Sequence, residues 1–398
     1  MMPRLAPLLV LLALTLIPGL ANSSLLHAED PFYQGEFVFP FHPQHNHASG
    51  LVECPNGDLL ISWFRGSGER TADDVQIMGA RRKAGQSTWS EPFPMADYPG
   101  FPDCNSVLWI DPEERLWLFW PVILDNTWDS CLTNYLISED YMGEGTPKWG
   151  RQRMILLKPN DFSDEYLDNV TNELGNSKPL SKETQGYLDH AKATVKQKLY
   201  QRIGWQPRCK PTVLPSGRIL MPLYTDNFGI SIMAISDDGG KTWYASEPLF
   251  GYGNNQPSVL RRDDGTLVAF LRDDAFSRRV RYCTSTDDGL TWSKIANTDF
   301  VNPGTSVDGV RLKNGHWVLV MNEGDRDRHH LVIALSDDEG RSWKWKRTLE
   351  KQPGGQFHYP AVIQSKDDRI HISYSYYTEQ GETMKHVQLN EAWIQAGN

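Results

Sequence analysis

Ser236-Asp-Asp-Gly-Gly-Lys-Thr-Trp243, Ser285-Thr-Asp-Asp-Gly-Leu-Thr-Trp292 and Ser336-Asp-Asp-Glu-Gly-Arg-Ser-Trp343 are near-copies of one eight-residue phrase. Their tryptophans stand 49 and 51 residues apart. Two weaker copies precede them: Lys83 to Trp89 with Gly85, and Ser138 to Trp149 with Asp140 and Gly143. A period of this length belongs to propellers and solenoids, whose units bury their faces only against one another. In such a turn an Asp side chain accepts from backbone amides, Gly takes positive φ, and Trp packs between sheets. The alternative is an acid or metal site at Asp237, Asp287 or Asp337. It is set aside because the copies would be spread around a ring.

A second repeat runs in phase with the first. Each copy is an apolar strand, a tight turn and another apolar strand, with turns at Asn56-Gly57, Glu113-Glu114, Ser216-Gly217, Asp264-Gly265, Asn314-Gly315 and Asp367-Asp368. Asn-Gly and Asp-Gly suit two-residue hairpins. Six such units predict an all-β fold, a six-bladed β-propeller. The sixth unit lacks the Asp/Trp turn. Its third strand is expected at Met384 to Leu389, and Glu36 to Phe41 is expected to add the outer strand, so that the chain ends close the ring and remove an exposed edge. The pattern fails only between residues 158 and 204. There a helical insertion is expected: Asp161 to Leu174, stopped by Gly175, then Lys182 to Tyr200 with Leu188, Ala191, Val195 and Leu199 on one stripe. It serves either as a packed edge or as a lid.

Composition narrows the function. The net charge is -10 and the sequence contains no basic run, which excludes a nucleic-acid backbone as partner. Residues 1–21 read as a signal peptide, with Arg4, an apolar stretch from Ala6 to Ile17, and Pro18 to Ala21 before the cut. A secreted or periplasmic protein is expected, with one domain over 22–398 and no membrane span. Cys54, Cys104, Cys131, Cys209 and Cys283 are odd in number and lack CxxC spacing, so one or two disulfides at most are compatible with them. His42, His45 and His47 have no carboxylate at matching spacing, so neither metal nor cofactor is expected. Nothing in the sequence specifies an oligomeric state.

The topology sorts the polar residues. Both sets of turns fall on one face, and the starts of the first strands and ends of the second strands converge on the other. Those positions hold His47, Asn105, Arg208, Lys210, Gln256, Asn302 and Tyr359, then Arg65, Tyr224, Asp226, Arg272, Asn322 and Tyr374. Glu69, Arg70, Asp73, Asp74 and Arg328 follow in loops. Guanidinium, amide, phenol and carboxylate groups in a ring suit an anionic sugar, whose carboxylate Arg grips in bidentate fashion.

On these turns and this order of residues, the sequence resembles the bacterial sialidase superfamily over roughly residues 40–390. The resemblance implies Arg272 and Arg328 as carboxylate-binding arginines, Tyr359 as nucleophile, and Asp74 or Asp73 as acid/base. His47 stands where a further arginine is expected, and Gln256 stands where a glutamate is expected. Three functions fit: a hydrolase removing a terminal acidic sugar, with Arg65 or Arg208 also on the carboxylate; a lyase on uronate-containing glycans, with His47 and Tyr359 moving protons; and a glycan-binding protein without turnover. Arg70, Glu69, Lys210, Asp226 and Asn302 are the remaining expected contacts to the glycan.

Overall fold

The computed structural model describes residues 29–174, 182–275 and 277–397. The signal peptide expected at 1–21 and the helix stop expected at Gly175 lie outside them. Six antiparallel sheets form the blades. The first blade runs His45–Glu53, Leu59–Gly66, Gln76–Arg82 and Phe93–Ala96 from axis to rim, and the next four follow in chain order. In the sixth, Gln356–Gln364, Ile370–Thr378 and Gly381–Leu389 are completed by Tyr33–Phe37, which pairs antiparallel with Gly381–Leu389. The closing strand thus starts and ends a few residues earlier than the sequence suggests.

Most second strands are largely apolar runs because both faces of each blade are covered, while that of the sixth, Ile370–Thr378, alternates with buried His371, Ser373 and Ser375. Ile219, Met221 and Leu223 point into a cluster shared with the second blade, while Leu220 joins one shared with the fourth. Leu267, Ala269 and Leu271 likewise face the third blade, and Val268 and Phe270 the fifth. Strand alternation therefore feeds six buried clusters, one between each pair of neighbouring blades.

The helical insertion is present as Ser163–Leu174 and Lys182–Thr194. Phe162, Tyr166, Val170, Leu188, Ala191 and Val195 extend the cluster between the second and third blades. Leu199 does not join the stripe: the helix ends at Thr194 and Leu199 is 60% exposed. All five cysteines are free and buried, so none of the one or two disulfides compatible with the sequence is formed. Cys54, Cys104 and Cys131 share the cluster between the first and second blades and Cys283 lies in that between the third and fourth, and burial pushes the Cys54 thiol up to about 11 and Cys209 up to about 12.

The repeated turn is built as the sequence suggests, by the Asp two residues after its Ser: Asp238, Asp287 and Asp338. Asp238, not Asp237, accepts from Lys241 N, Thr242 N and Thr242 Oγ1. Asp338, not Asp337, does the same for Ser342 N and Ser342 Oγ. Asp237 and Asp337 instead pair outward with Arg218 and Lys344.

Candidate functional site

The mouth of the ring is shaped by irregular inner strands. Register shifts fall between His47 and Gly50, Asn255 and Ser258, and His358 and Ala361. At these bulges Ala48, Gln256 and Tyr359 each take φ 58, and Asn105 takes φ 42 in the second blade. A bulge re-aims side chains and bends the strand. Left-handed backbone at a bulky residue costs about 1–3 kcal/mol and persists only where the surroundings impose it. Strict alternation would send His358 and Tyr359 to opposite sides. The bulge instead leaves both against His47, with ring centroids 4.7 and 4.2 Å away.

A cleft of about 540 Å³ opens above these bulges. Its lining includes His47, Glu69, Arg70, Asn105, Tyr224, Asp226, Asn255, Arg272, Asp274, Arg278, Arg328 and Tyr359. Trp128, Tyr187 and Tyr252 add aromatic surface, Tyr187 coming from the helical insertion. On the floor, the Tyr359 phenolic oxygen accepts from Arg272 Nη1 at 2.8 Å and Gln256 Nε2 at 3.1 Å. The same Gln256 amide donates to Tyr224 Oη at 3.0 Å. Asn105 Nδ2 reaches Tyr224 Oη at 3.3 Å and Gln206 Oε1 at 2.9 Å, and Gln206 Nε2 donates to Asp226 at 3.0 Å. Four blades thus contribute to one hydrogen-bonded chain across the floor.

Charges are distributed unevenly along it. Arg272 is ion-paired with Asp274 at 2.8 Å, and Arg70 with Glu69 at 3.4 Å. Arg328 stands 5.9 Å from the Tyr359 ring centre, and among the described residues its guanidinium has no hydrogen-bond or ion-pair partner. Burial pushes the Asp226 carboxyl up to about 7, against the pull of Arg272 and with help from Asp274 and Glu69. Burial holds His47 and His358 well below the usual imidazole range, and the surrounding histidines and arginines add to this. Both rings are therefore neutral. Arg272 Nε, Gln256 Oε1, Asn255 Oδ1 and both His358 ring nitrogens are buried without a hydrogen-bond partner among the described residues.

The residues singled out in the sequence divide into two groups. Tyr359, Arg272, Arg328, Arg70, Glu69, Asp226 and His47 line the cleft, with Gln256 just beneath it. Asn105 and Tyr224 line it as well, whereas Asp73, Asp74, Arg65, Arg208, Lys210 and Asn302 do not. Asp74 is exposed and accepts from Ser67 N and Ser67 Oγ, which hold it below the usual carboxylate range. Asp73 accepts from Asn126 Nδ2 at 3.0 Å. Arg65 lies on the Phe39 ring and donates to Asn46. Arg208 is buried beneath Tyr359, donating to the Ser49 and Pro360 carbonyls. Lys210 pairs with Asp308 at 2.9 Å near the axis. Asn302 caps a buried turn through Gly304 N and Thr305 N. Sequence reasoning missed Asn255, Asp274, Arg278, Trp128, Tyr187 and Tyr252. Following the chain past the end of the fourth blade's second strand, as was done in the first blade, would have found Asp274 and Arg278. No pattern marks Tyr187. Among the described residues no helix is long and apolar enough to cross a membrane.

Comparison with known proteins agrees with this architecture. A curated sialidase from Micromonospora viridifaciens is 24% identical over 192 residues, covering 45% of this chain and 28% of the relative. The chain spans well under a third of the length of the curated relatives it matches. A protein of unknown function from Dyadobacter fermentans superposes with a TM-score of 0.67 at 16% identity, covering 90% of this chain and 99% of the other. A sialidase from Streptococcus pneumoniae also gives 0.67, at 14% identity over 90% of this chain and 71% of the other. The BNR repeat-like domain model matches residues 57–176 and 195–372, more than half of the sequence. The chain therefore belongs to the BNR repeat-like family, within the sialidase/BNR-repeat superfamily of six-bladed propellers.

Proposed function

We propose that the protein is an exported glycoside hydrolase that releases a terminal acidic sugar from a glycan. The observation that carries this reading is the phenolic oxygen of Tyr359, held between Arg272 Nη1 and Gln256 Nε2 on the floor of an arginine-lined cleft. Two donors, one of them cationic, stabilise negative charge on that oxygen. Gln256 cannot take the tyrosine's proton; its amide donates to the phenolic oxygen instead. Arg328, whose guanidinium has no hydrogen-bond or ion-pair partner among the described residues, receives the sugar carboxylate above the ring. Tyr359 attacks the anomeric carbon, a carboxyl group of the cleft protonates the leaving oxygen, and water releases the sugar from the tyrosine. Residues 1–21 support export.

Tyr359→Phe is expected to abolish turnover of fluorogenic acidic glycosides while leaving the circular dichroism spectrum unchanged; undiminished turnover would refute the assignment. One observation favours a second reading, β-elimination from a uronate glycan: the neutral His47 ring lies 4.2 Å from the Tyr359 ring, a base beside an acid. Elimination leaves an ultraviolet-absorbing unsaturated sugar, and hydrolysis leaves a saturated one, so product absorbance separates the two.

A further inference from the structure

We infer that Asp226, at the end of the third blade's second strand, is the group that protonates the leaving oxygen in this cleft and then accepts the proton of the attacking water. The inference rests on the hydrolase reading above. The geometry favours Asp226 by position and by partners. Asp226 lines the same cleft as Tyr359 and Arg272. It is joined to the tyrosine through Gln206, Asn105, Tyr224 and Gln256. Its oxygens accept one bond each, from Asn255 Nδ2 at 2.9 Å and Gln206 Nε2 at 3.0 Å, both neutral amides. Each oxygen keeps room for a proton.

The other carboxylates nearby are differently engaged. Asp274 is tied to Arg272 and Glu69 to Arg70. Asp73 and Asp74 lie outside the cleft lining. Arg272 and Arg70 face Asp226 with positive charge, and Asp274, Glu69 and the Tyr224 phenol face it from the other elements. Burial outweighs the cations and pushes its carboxyl up to about 7, where half of it carries a proton at neutral pH.

In the first step the bond from the anomeric carbon to the leaving oxygen breaks, that oxygen takes the Asp226 proton, and the Tyr359 oxygen bonds to carbon as its own proton passes to solvent water. In the second, water adds to that carbon and returns a proton to Asp226, and the tyrosine oxygen departs and is reprotonated from solvent. No other reactant is needed.

The test compares two glycosides of one acidic sugar, with a nitrophenol and with a second sugar as leaving groups. In the unchanged protein, kcat/KM for the sugar-leaving substrate should fall as pH rises through about 7. Asp226→Asn should slow that substrate by about 10²–10⁴-fold and the nitrophenyl glycoside by about tenfold or less, because nitrophenol leaves without a proton, and should lose the fall near pH 7. Asp226→Glu should keep the fall. Equal slowing of both substrates with the fall intact would overturn the assignment, as would the same leaving-group signature in Glu69→Gln. If Tyr359→Phe stays active while Asp226→Asn behaves as expected, the nucleophile is wrong and the proton donor stands. Should the unchanged protein hydrolyse neither glycoside, the hydrolase reading fails and takes this assignment with it.

Discussion

The two faces of the propeller treat polar groups in opposite ways. On the turn face, the Asp287 carboxylate accepts from Ser285 Oγ, Thr291 N and Thr291 Oγ1, and the other copies repeat the arrangement. Left-handed backbone there falls to Gly240, Gly289 and Gly340 and to acidic turn residues. At the mouth, left-handed backbone falls to Gln256 and Tyr359, both buried, and Arg272 Nε, Gln256 Oε1 and the His358 nitrogens lack hydrogen-bond partners among the described residues. An unsatisfied buried group costs about 1–3 kcal/mol. The difference teaches that a carboxylate surrounded by local donors builds the fold, whereas groups held in strained, incompletely paired positions mark the place where a ligand acts.

Acid should expose this contrast most strongly. His47, His358, His371 and His386 are buried with lowered pKa values, His371 down to about 3. An unfolded histidine titrates near about 6.5, so below that pH the unfolded chain binds protons that the folded one refuses. The stability these groups contribute is present above about 6.5 and is lost as pH falls toward about 3, at about 1.4 kcal/mol per pH unit for each proton. The turn carboxylates Asp238 and Asp338, held down to about 2, should survive until much lower pH. His371 and His386 lie in the closing blade, where His386 Nδ1 contacts Glu36 and Glu36 accepts from Arg82 of the first blade. Urea midpoints should therefore drop between pH 7 and pH 5, and His371→Gln should flatten the slope. A midpoint that holds constant over that range contradicts the neutral assignments.

Next in size is Gly240→Ala on the turn face. Gly240 has φ 82, and an added Cβ would lie 2.2 Å from Trp117 Cη2 of the neighbouring blade. Overpacking together with left-handed strain should cost about 3 kcal/mol, read as a lower urea midpoint, with binding of an acidic sugar unchanged. Arg328→Ala should give the mirror result. It should weaken acidic-sugar binding by about 30-fold, the loss of about 2 kcal/mol expected of a charge-assisted bond, and leave the urea midpoint where it was. If either substitution moved both readouts, the separation of the faces would be blurred.

Much of the architecture was legible because it is periodic. The Asp/Trp turns and hairpin turns fix six blades, and the single break in the pattern locates the helical insertion. The site was legible to the extent that topology governs it: first-strand starts and second-strand ends delivered Tyr359, Arg272, Tyr224 and Asp226 to one mouth. What topology does not govern was misjudged. The bulge at His358/Ala361 cancels the alternation that would separate His358 from Tyr359. The loop after the first blade's second strand curls so that Glu69 enters the cleft while Asp74 folds back on Ser67. Arg65 and Arg208 occupy the expected strand positions, but an aromatic face and two carbonyls hold them away from the opening. Neither bulges nor loop curls leave a period in the sequence.

The smallest effect separates adjacent carboxylates. Asp338 accepts from Ser336 Oγ, Ser342 N and Ser342 Oγ, in the manner of a helix cap, while Asp337 reaches only Lys344 at the surface. Asp338→Ala should cost about 1 kcal/mol, the usual loss for a capping side chain. Asp337→Ala should cost about 0.3 kcal/mol, as for an exposed ion pair screened by solvent. Measured as urea midpoints at pH 7, the two variants should differ in that order, and neither should alter acidic-sugar binding. The reverse order would mean that the outward ion pairs, rather than the inward-turned carboxylates, hold the repeated turn. In that case the pairing of Asp237 with Arg218, which donates to the Asp288 carbonyl of the next blade's turn, would become the stabilising contact of that face.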